Sequence, residues 1–239
     1  MEENRRKALV EKYLPIVVNI LIFGFAVTGF FLSCFFAQRD GYSHWLTRLL
    51  YFTQQSNLWI GITSLIFAIM LIKKNSSEKS LKIISVLKYI FTVSITITGI
   101  VFCTLLAPFA DFDIWTFASV LTHIVVPVLS IFDFFANRNI LKVERKHIWL
   151  TIIPVLIYFI FASILCVLKV DFGRGDPYPY FFMDFNSEVG LFGFSSGNPP
   201  QMGSFYWFVF FFIFILLLSF LYYKIHTLIL NNRNKEKII

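Results

Sequence analysis

The chain has 239 residues, of which 57% are hydrophobic and only 15% are charged. Together with a mean hydropathy of +0.72, this composition excludes an ordinary soluble domain and predicts a polytopic membrane protein. The net charge of +7 would suggest a nucleic-acid partner only if the basic residues clustered on one soluble face. They lie instead in short connections between apolar runs, so no nucleic-acid partner is expected.

Six apolar segments reach the roughly 20 residues that a helix needs to cross a bilayer. They predict an all-α fold, a single domain that is a bundle of six transmembrane helices near residues 14–37, 50–72, 83–106, 116–136, 148–168 and 205–230. The first segment is about twice as long as the apolar core of a signal peptide. We therefore expect it to be retained as a helix.

The distribution of basic residues predicts the orientation of the helices. All but four of the 21 Lys and Arg residues lie near the two ends of the chain or near the second and fourth connections. Since cytoplasmic loops are enriched in Lys and Arg, both termini are predicted to be cytoplasmic. The second connection and its flanks contribute Lys73, Lys74, Lys79, Lys82 and Lys88 to this bias.

The fifth connection, residues 169–204, differs from the others because it is long and rich in Gly, Pro and aromatic residues. Loops of this length are usually functional or disordered. Its apolar content favours packing on the bundle, as a lid over the outer mouth.

Segment four carries His123 and Asp133 within an otherwise apolar run. Titratable side chains are costly at membrane depth, so His123 is a candidate proton relay, ligand contact, interhelical hydrogen-bonding group or catalytic base. Asp133 follows ten residues later, about 15 Å along a helix, which is too far for direct contact with His123. A simple alternative for Asp133 is an ion pair with nearby Arg138.

Segment two carries polar residues at helical spacing, namely Thr53, Ser56, Asn57 and Ser64. This spacing puts them on one face. The simplest interpretation is that they bond neighbouring helices or their own backbone.

Depth in the membrane suggests a second role for Thr53. It lies about one turn from the outer end of segment two, and His123 lies roughly 10 Å from the outer end of segment four, so the two side chains can meet. A hydroxyl beside an imidazole is the minimum for an activated oxygen nucleophile. A third group usually orients the base, and the candidates are a helix carbonyl or Asp176, Asp184 or Glu188 of the outer loop.

Metal chemistry is not indicated. The other histidines, His44, His147 and His226, lie in or near connections on different sides of the membrane, and no HExxH or His-Cys cluster is present. The spacing that metal ligands need is therefore missing, so neither a metal nor an organic cofactor is expected.

The order of features resembles the androgen-induced protein family of six-helix membrane proteins, most closely its bacterial branch. The resemblance rests on Phe52-Thr53-x-x-Ser56-Asn57 opening helix two, on His123 followed by Pro127 and an acid ten residues on, and on the Tyr178-Pro179 pair. It covers nearly the whole chain from helix two to helix six.

This resemblance implies a hydrolase that acts on fatty acid esters of hydroxy fatty acids, or on a related lipid ester, in a bacterial cytoplasmic membrane, with Thr53 as nucleophile and His123 as its partner. Membrane lipids or a fatty-acyl ester would be the partners, without a metal. Ser56 or Asn57 would stabilise the oxyanion, and Tyr178 and Asp184 are further candidates for substrate contacts. Two alternatives stay open: a lipid-binding or transport protein with His123 and Asp133 on a proton path, and a structural protein with a satisfied polar core.

Overall fold

The fold is a bundle of six long helices, known here from a computed structural model that describes residues 2–73, 76–110, 114–196 and 201–236. Lys74, one of the cations of the second connection, lies outside the described residues. Each helix is long and apolar enough to cross a membrane, as expected of a multi-pass membrane protein. The helices are α1 Glu2–Phe35, α2 Phe52–Lys73, α3 Glu78–Phe109, α4 Phe117–Ala136, α5 Arg145–Val167 and α6 Ser204–Glu236.

The six predicted segments are confirmed, although two helices begin earlier than hydropathy indicates. Helix α3 begins at Glu78 rather than near residue 83, because the Ser77 side chain accepts a hydrogen bond from the Ser80 backbone and caps a polar first turn. Helix α1 begins at Glu2 and runs through charged residues before its apolar stretch. Polar first turns add nothing to hydropathy, so these starts were not visible in the apolar pattern.

Two helices contain a turn of π-helix near the same end of the bundle. In α3 this turn is Phe102–Leu106, and a 3-10 turn, Ala107–Phe109, follows it. In α4 it is Leu121–Val125, and the Val126 N–H donates to the Leu121 carbonyl. Pro127 accounts for the irregularity in α4, because it has no N–H to donate to the carbonyl four residues before it.

Helices α1 to α4 surround a shared core. Its buried members come from all four helices: Val18, Ile22 and Ala26 of α1, Ile60 of α2, Ile95 of α3 and Val126 of α4. Helices α5 and α6 lie to one side, where a second cluster joins them to α2, α3 and α4 through Phe67, Tyr89 and Phe134. We call the end of the bundle where α2 and α4 begin the site end.

The connection between α5 and α6 folds back onto the site end, as its apolar content predicted. Phe172, Phe182 and Met183 are buried against Phe52 and Trp207 of the bundle. The connection contains a 3-10 turn, Phe181–Met183, and two antiparallel strands, β1 Phe194–Ser195 and β2 Gln201–Met202, that pair Phe194 with Met202.

A glycine permits the closest approach of this connection to the bundle. Gly173 has φ +120° and lies directly against the ring of Tyr42, where an added Cβ would come within 2.2 Å of the ring. Both the backbone angle and the space therefore require glycine here.

A buried ion pair joins α3 to α4 on the side away from the site end. Lys88 Nζ lies 2.6 Å from Asp133 Oδ2, and neither side chain is exposed. Lys88 also donates to Asn19 Oδ1 of α1 at 2.8 Å and to Ser64 Oγ of α2 at 3.0 Å. Asn19 and Asn137 in turn donate to Asp133 Oδ1, while Oδ2 faces the Lys88 ammonium.

This cluster corrects two expectations from the sequence. Lys88 is not a loop cation but a core residue of α3. Asp133 pairs with Lys88 rather than with Arg138, whose Nη1 donates to the Phe135 carbonyl.

The ion pair predicts a large and specific effect of Lys88→Met on stability. Removing one partner leaves an uncompensated buried charge, which typically costs about 3–5 kcal/mol. We expect a marked fall of the thermal unfolding midpoint in detergent, and recovery of much of that loss in the double variant Lys88→Met/Asp133→Leu. Lys82→Met removes a lysine that is 60% exposed and should leave the midpoint close to that of the wild type. An unchanged midpoint in Lys88→Met would show that the pair does not hold the bundle.

Candidate functional site

The contact that helical depth predicted is present at the site end. Thr53, the second residue of α2, places its Oγ1 3.3 Å from Nε2 of His123 in the π-helical turn of α4. Thr53 is 8% exposed, and His123 is partly exposed, to a cavity that both residues line. A hydroxyl and an imidazole therefore line the same cavity.

The hydrogen bonds of His123 determine which ring nitrogen carries the proton. Nδ1 lies 2.9 Å from the backbone carbonyl oxygen of Ser119. A carbonyl only accepts, so Nδ1–H is the donor and the neutral ring has its lone pair on Nε2. The Thr53 hydroxyl can thus donate to Nε2. A helix carbonyl is the orienting group, and Asp176, Asp184 and Glu188 make no described contact with His123.

The imidazole is also held by packing. The ring of Phe102, at the start of the π-helical turn of α3, stacks on His123 with centroids 3.7 Å apart and planes 16° apart. Turns of this kind are rare and often occur at functional sites. Here the two π-helical turns bring a flat ring of α3 directly over the ring of α4.

Asn57 and Ser56, the residues expected as oxyanion donors, both bond to backbone carbonyls inside the bundle. Asn57 Nδ2 donates to the carbonyls of Thr53, at 2.8 Å, and Thr122, at 3.0 Å. Ser56 Oγ donates to the Thr53 carbonyl at 3.1 Å and contacts Thr98 Oγ1 at 2.9 Å. Their donors are already used, and neither residue lines the cavity. Asn57 instead ties the backbone of Thr53 to the residue before His123.

The connection between α5 and α6 brings one expected tyrosine to the cavity and one that the sequence did not single out. Tyr178 lines the cavity wall. Tyr180 lies deeper, and its phenol interacts with the hydroxyl of Thr53, with the first backbone groups of α2 and with Tyr158. Burial raises the pKa of Tyr180, so the phenol stays protonated and can donate.

Asp184 lies apart from this arrangement. Its Oδ1 accepts a hydrogen bond from the Asn186 backbone N–H at 3.0 Å. It lines neither of the cavities that contain Thr53, so the structure does not bring it to the site.

Two cavities of different character meet at Thr53. One has a volume of about 650 Å³ and is lined by His123, by Tyr178 and by charged residues of the loops. The other is a narrow crevice of about 70 Å³ between α3, α5 and α6, and its walls are almost wholly apolar. Thr53 and Tyr180 are among the few residues that line both cavities.

The polar clusters of Thr53 and of Lys88 are separate. Among the described residues, no side chain hydrogen-bonds to members of both clusters, so no chain of polar groups joins His123 to Asp133. In the same part of the chain, no three His, Cys, Asp or Glu side chains come close enough to hold a metal ion.

Comparison with known proteins gives no further guide, since no family model, no curated protein and no solved structure matches this chain.

Two features of the site had no clear signal in the sequence. Tyr180 directly follows the Tyr178-Pro179 pair, but only the folding of the loop shows which of the two tyrosines turns inward. Phe102 is one of 31 phenylalanines, and its role depends on the π-helical turn that presents it. The Pro127 position, by contrast, does predict an irregular turn at His123, because proline has no N–H for the His123 carbonyl four residues before it.

Gly99 provides a test of the close approach between α3 and α4. A Cβ at Gly99 would lie 2.8 Å from the His123 carbonyl oxygen and 3.3 Å from Pro127 Cγ. We expect Gly99→Ala to lower the thermal unfolding midpoint, because the two helices must separate. At Gly24 of α1 nothing lies within 4 Å of an added Cβ, so Gly24→Ala should keep or raise the midpoint, as alanine favours a helix over glycine. Equal midpoints for the two variants would contradict the packing described here.

Proposed function

We propose that this chain is an integral membrane hydrolase of lipid esters, with Thr53 as the nucleophile and His123 as the general base. The observation that carries the proposal is the Thr53 hydroxyl beside a His123 ring whose other nitrogen is fixed by a backbone carbonyl. This is the arrangement of nucleophile, base and orienting group that acyl transfer requires.

In the first half of the reaction, Thr53 Oγ1 attacks the acyl carbonyl while its proton passes to His123 Nε2. The resulting imidazolium is stabilised by its Nδ1–H bond to the Ser119 carbonyl. Nε2–H then protonates the leaving alcohol as the ester C–O bond breaks, which leaves the acyl group on Thr53.

In the second half, water enters from the larger cavity, which reaches His123. Nε2 accepts a proton from the water as its oxygen attacks the acyl-threonine carbonyl. Collapse of this intermediate returns the proton to Thr53 and releases the fatty acid, so the enzyme is restored without a metal or cofactor.

Tyr180 is the best-placed donor for the developing oxyanion. Tyr180 lines both cavities together with Thr53, and burial keeps its phenol protonated. A hydrogen-bond donor held in place at the reacting carbonyl stabilises the negative charge of the tetrahedral intermediate. This role replaces the one that Ser56 and Asn57 were expected to have.

The family resemblance and the distribution of basic residues support a proposal for the membrane in which the protein lies and for its orientation there. We propose that both termini are cytoplasmic, that the site end faces the outer leaflet of a bacterial cytoplasmic membrane, and that membrane lipids supply the substrate. The separation of the two polar clusters gives no support to a proton path from His123 to Asp133.

Covalent labelling tests the nucleophile. A lipid-like fluorophosphonate should form an adduct on Thr53 of the purified protein in detergent, located by mass spectrometry. Thr53→Ala removes the attacking oxygen and His123→Ala removes the base, so both should abolish labelling. Thr63→Ala is the matched control, because the Thr63 hydroxyl is buried in the same helix and donates to the Trp59 carbonyl. No adduct in the folded wild type, or labelling that persists in Thr53→Ala, would exclude the proposed mechanism.

A second substitution tests the oxyanion donor. Tyr180→Phe keeps the ring but removes the phenol O–H, so the rate of ester hydrolysis should fall by about 10²–10³-fold. Tyr206→Phe, a change of the same kind at a ring that packs on Phe194, should leave the rate close to that of the wild type. An unchanged rate in Tyr180→Phe would assign the oxyanion to another donor.

A further inference from the structure

A third cavity lies at the end of the bundle away from the site end. It has a volume of about 380 Å³ and lies between the first turns of α1 and the end of α4 with the residues that follow it. It shares no lining residue with the two cavities at Thr53. Its size falls within the range of about 300–1,000 Å³ that is usual for small-molecule sites. The cavity is therefore large enough for a ligand that has nothing to do with Thr53.

Two groups of opposite charge line this cavity without an ion-pair partner. Glu11 of α1 and Arg138, just after α4, are both in the lining, and no described residue forms an ion pair with either of them. Arg138 Nη1 donates to the Phe135 carbonyl, while its buried Nε has no hydrogen-bond partner in the described part of the chain. The deeper carboxylate of Asp133 is already paired with Lys88. One anion and one cation thus remain for an occupant.

Pro15 leaves a backbone acceptor next to the charge of Glu11. Proline has no N–H, so the Glu11 carbonyl lacks its donor four residues along α1. Glu11 and Pro15 both line the cavity. A carboxylate and a carbonyl only accept hydrogen bonds, so this wall suits an ammonium group that has N–H donors. The guanidinium of Arg138 suits a phosphate on the other wall.

Exposed apolar side chains adjoin the charged lining. Val10 is 53% exposed, Leu14 is 41% exposed and Phe132 is 49% exposed, and all three also line the cavity. The apolar span of α1 begins at Leu9, so a bilayer around the helices would place the cavity at its headgroup layer. A ligand there has charge on one side and hydrocarbon on the other, as a phospholipid does.

We propose that this cavity binds the headgroup of an ethanolamine phospholipid. The ammonium group lies at Glu11 and the phosphate at Arg138, and the acyl chains lie outside the cavity on Val10, Leu14 and Phe132. A purely anionic headgroup would meet the Glu11 carboxylate, and a quaternary ammonium would have no N–H for the freed carbonyl. The bound lipid bridges α1 and α4 beside the buried ion pair, and this site does not depend on the proposed ester hydrolysis.

Native mass spectrometry of the purified protein in a neutral detergent tests this inference, because it resolves bound lipids. The probes have the same dioleoyl chains and differ in the headgroup: phosphatidylethanolamine, its N,N-dimethyl derivative, phosphatidylcholine and phosphatidylglycerol. We expect the ethanolamine lipid to bind roughly tenfold more tightly than the choline and glycerol lipids, because each of these lacks a hydrogen bond to a charged group. The dimethyl derivative retains one N–H and should lie between them.

Charge variants locate the binding site. Glu11→Gln should lower the affinity for the ethanolamine lipid to that for the choline lipid, whereas Arg138→Gln should weaken the binding of both, since both carry the phosphate. Glu3→Gln and Arg145→Gln are the matched controls, because they make the same changes of charge at exposed side chains that do not line the cavity. Both controls should keep the preference, and the thermal unfolding midpoint verifies that each variant is folded.

Equal affinities for the ethanolamine and choline lipids, tighter binding of the glycerol lipid, or an ethanolamine preference that survives in folded Glu11→Gln would overturn the inference. Displacement of the lipid by an equimolar amount of glycerophosphoethanolamine, which has no chains, would also overturn it and assign the cavity to a water-soluble ligand. None of these measurements depends on Thr53, so covalent labelling tests the proposed function separately.

Discussion

The structure depends first on the buried pair of Lys88 and Asp133. Through Asn19 and Ser64 this pair connects α1 and α2 to α3 and α4, so four helices meet at one pair of charges. A buried ion pair contributes little net stability, because desolvation offsets most of its attraction. The pair instead disfavours other arrangements of the helices, because any other packing would leave a charge without a partner in an apolar interior. The pair therefore selects one register.

The helix register at the ion pair also affects the site end of the same helices. His123 lies ten residues before Asp133 in α4, about 15 Å along the axis. Each residue turns a helix by roughly 100°, so a shift of one position would point His123 away from Thr53. Asn57 adds a local tie, because it holds the backbone next to both residues. The polar cluster far from the site thus sets the geometry that the site needs.

The sequence predicts the features that depend on neighbouring residues and does not predict those that depend on contacts between distant parts of the chain. Helix positions follow from local hydropathy, and the meeting of Thr53 with His123 follows from alternating helix direction and equal depth. Lys88 was misplaced because it follows four lysines in or next to the second connection, Lys73, Lys74, Lys79 and Lys82, and its partners are up to 69 residues away in the chain. The roles of Asn57 and Tyr180 depend on which donors and acceptors the folded chain has already used. The sequence alone does not show which donors and acceptors are still unused.

Thr53 occupies the boundary between two environments that hydrolysis of a lipid ester has to combine. Its hydroxyl faces His123, which lines only the larger cavity, while Thr53 itself also forms part of the apolar crevice. The chain of an acyl ester needs the dry side, whereas the base, the leaving alcohol and the attacking water need the polar side. A β-branched residue suits this position, because its stiff χ1 keeps the hydroxyl on one side. In the proposed reaction, the attack on the ester therefore takes place where the apolar crevice meets the larger cavity.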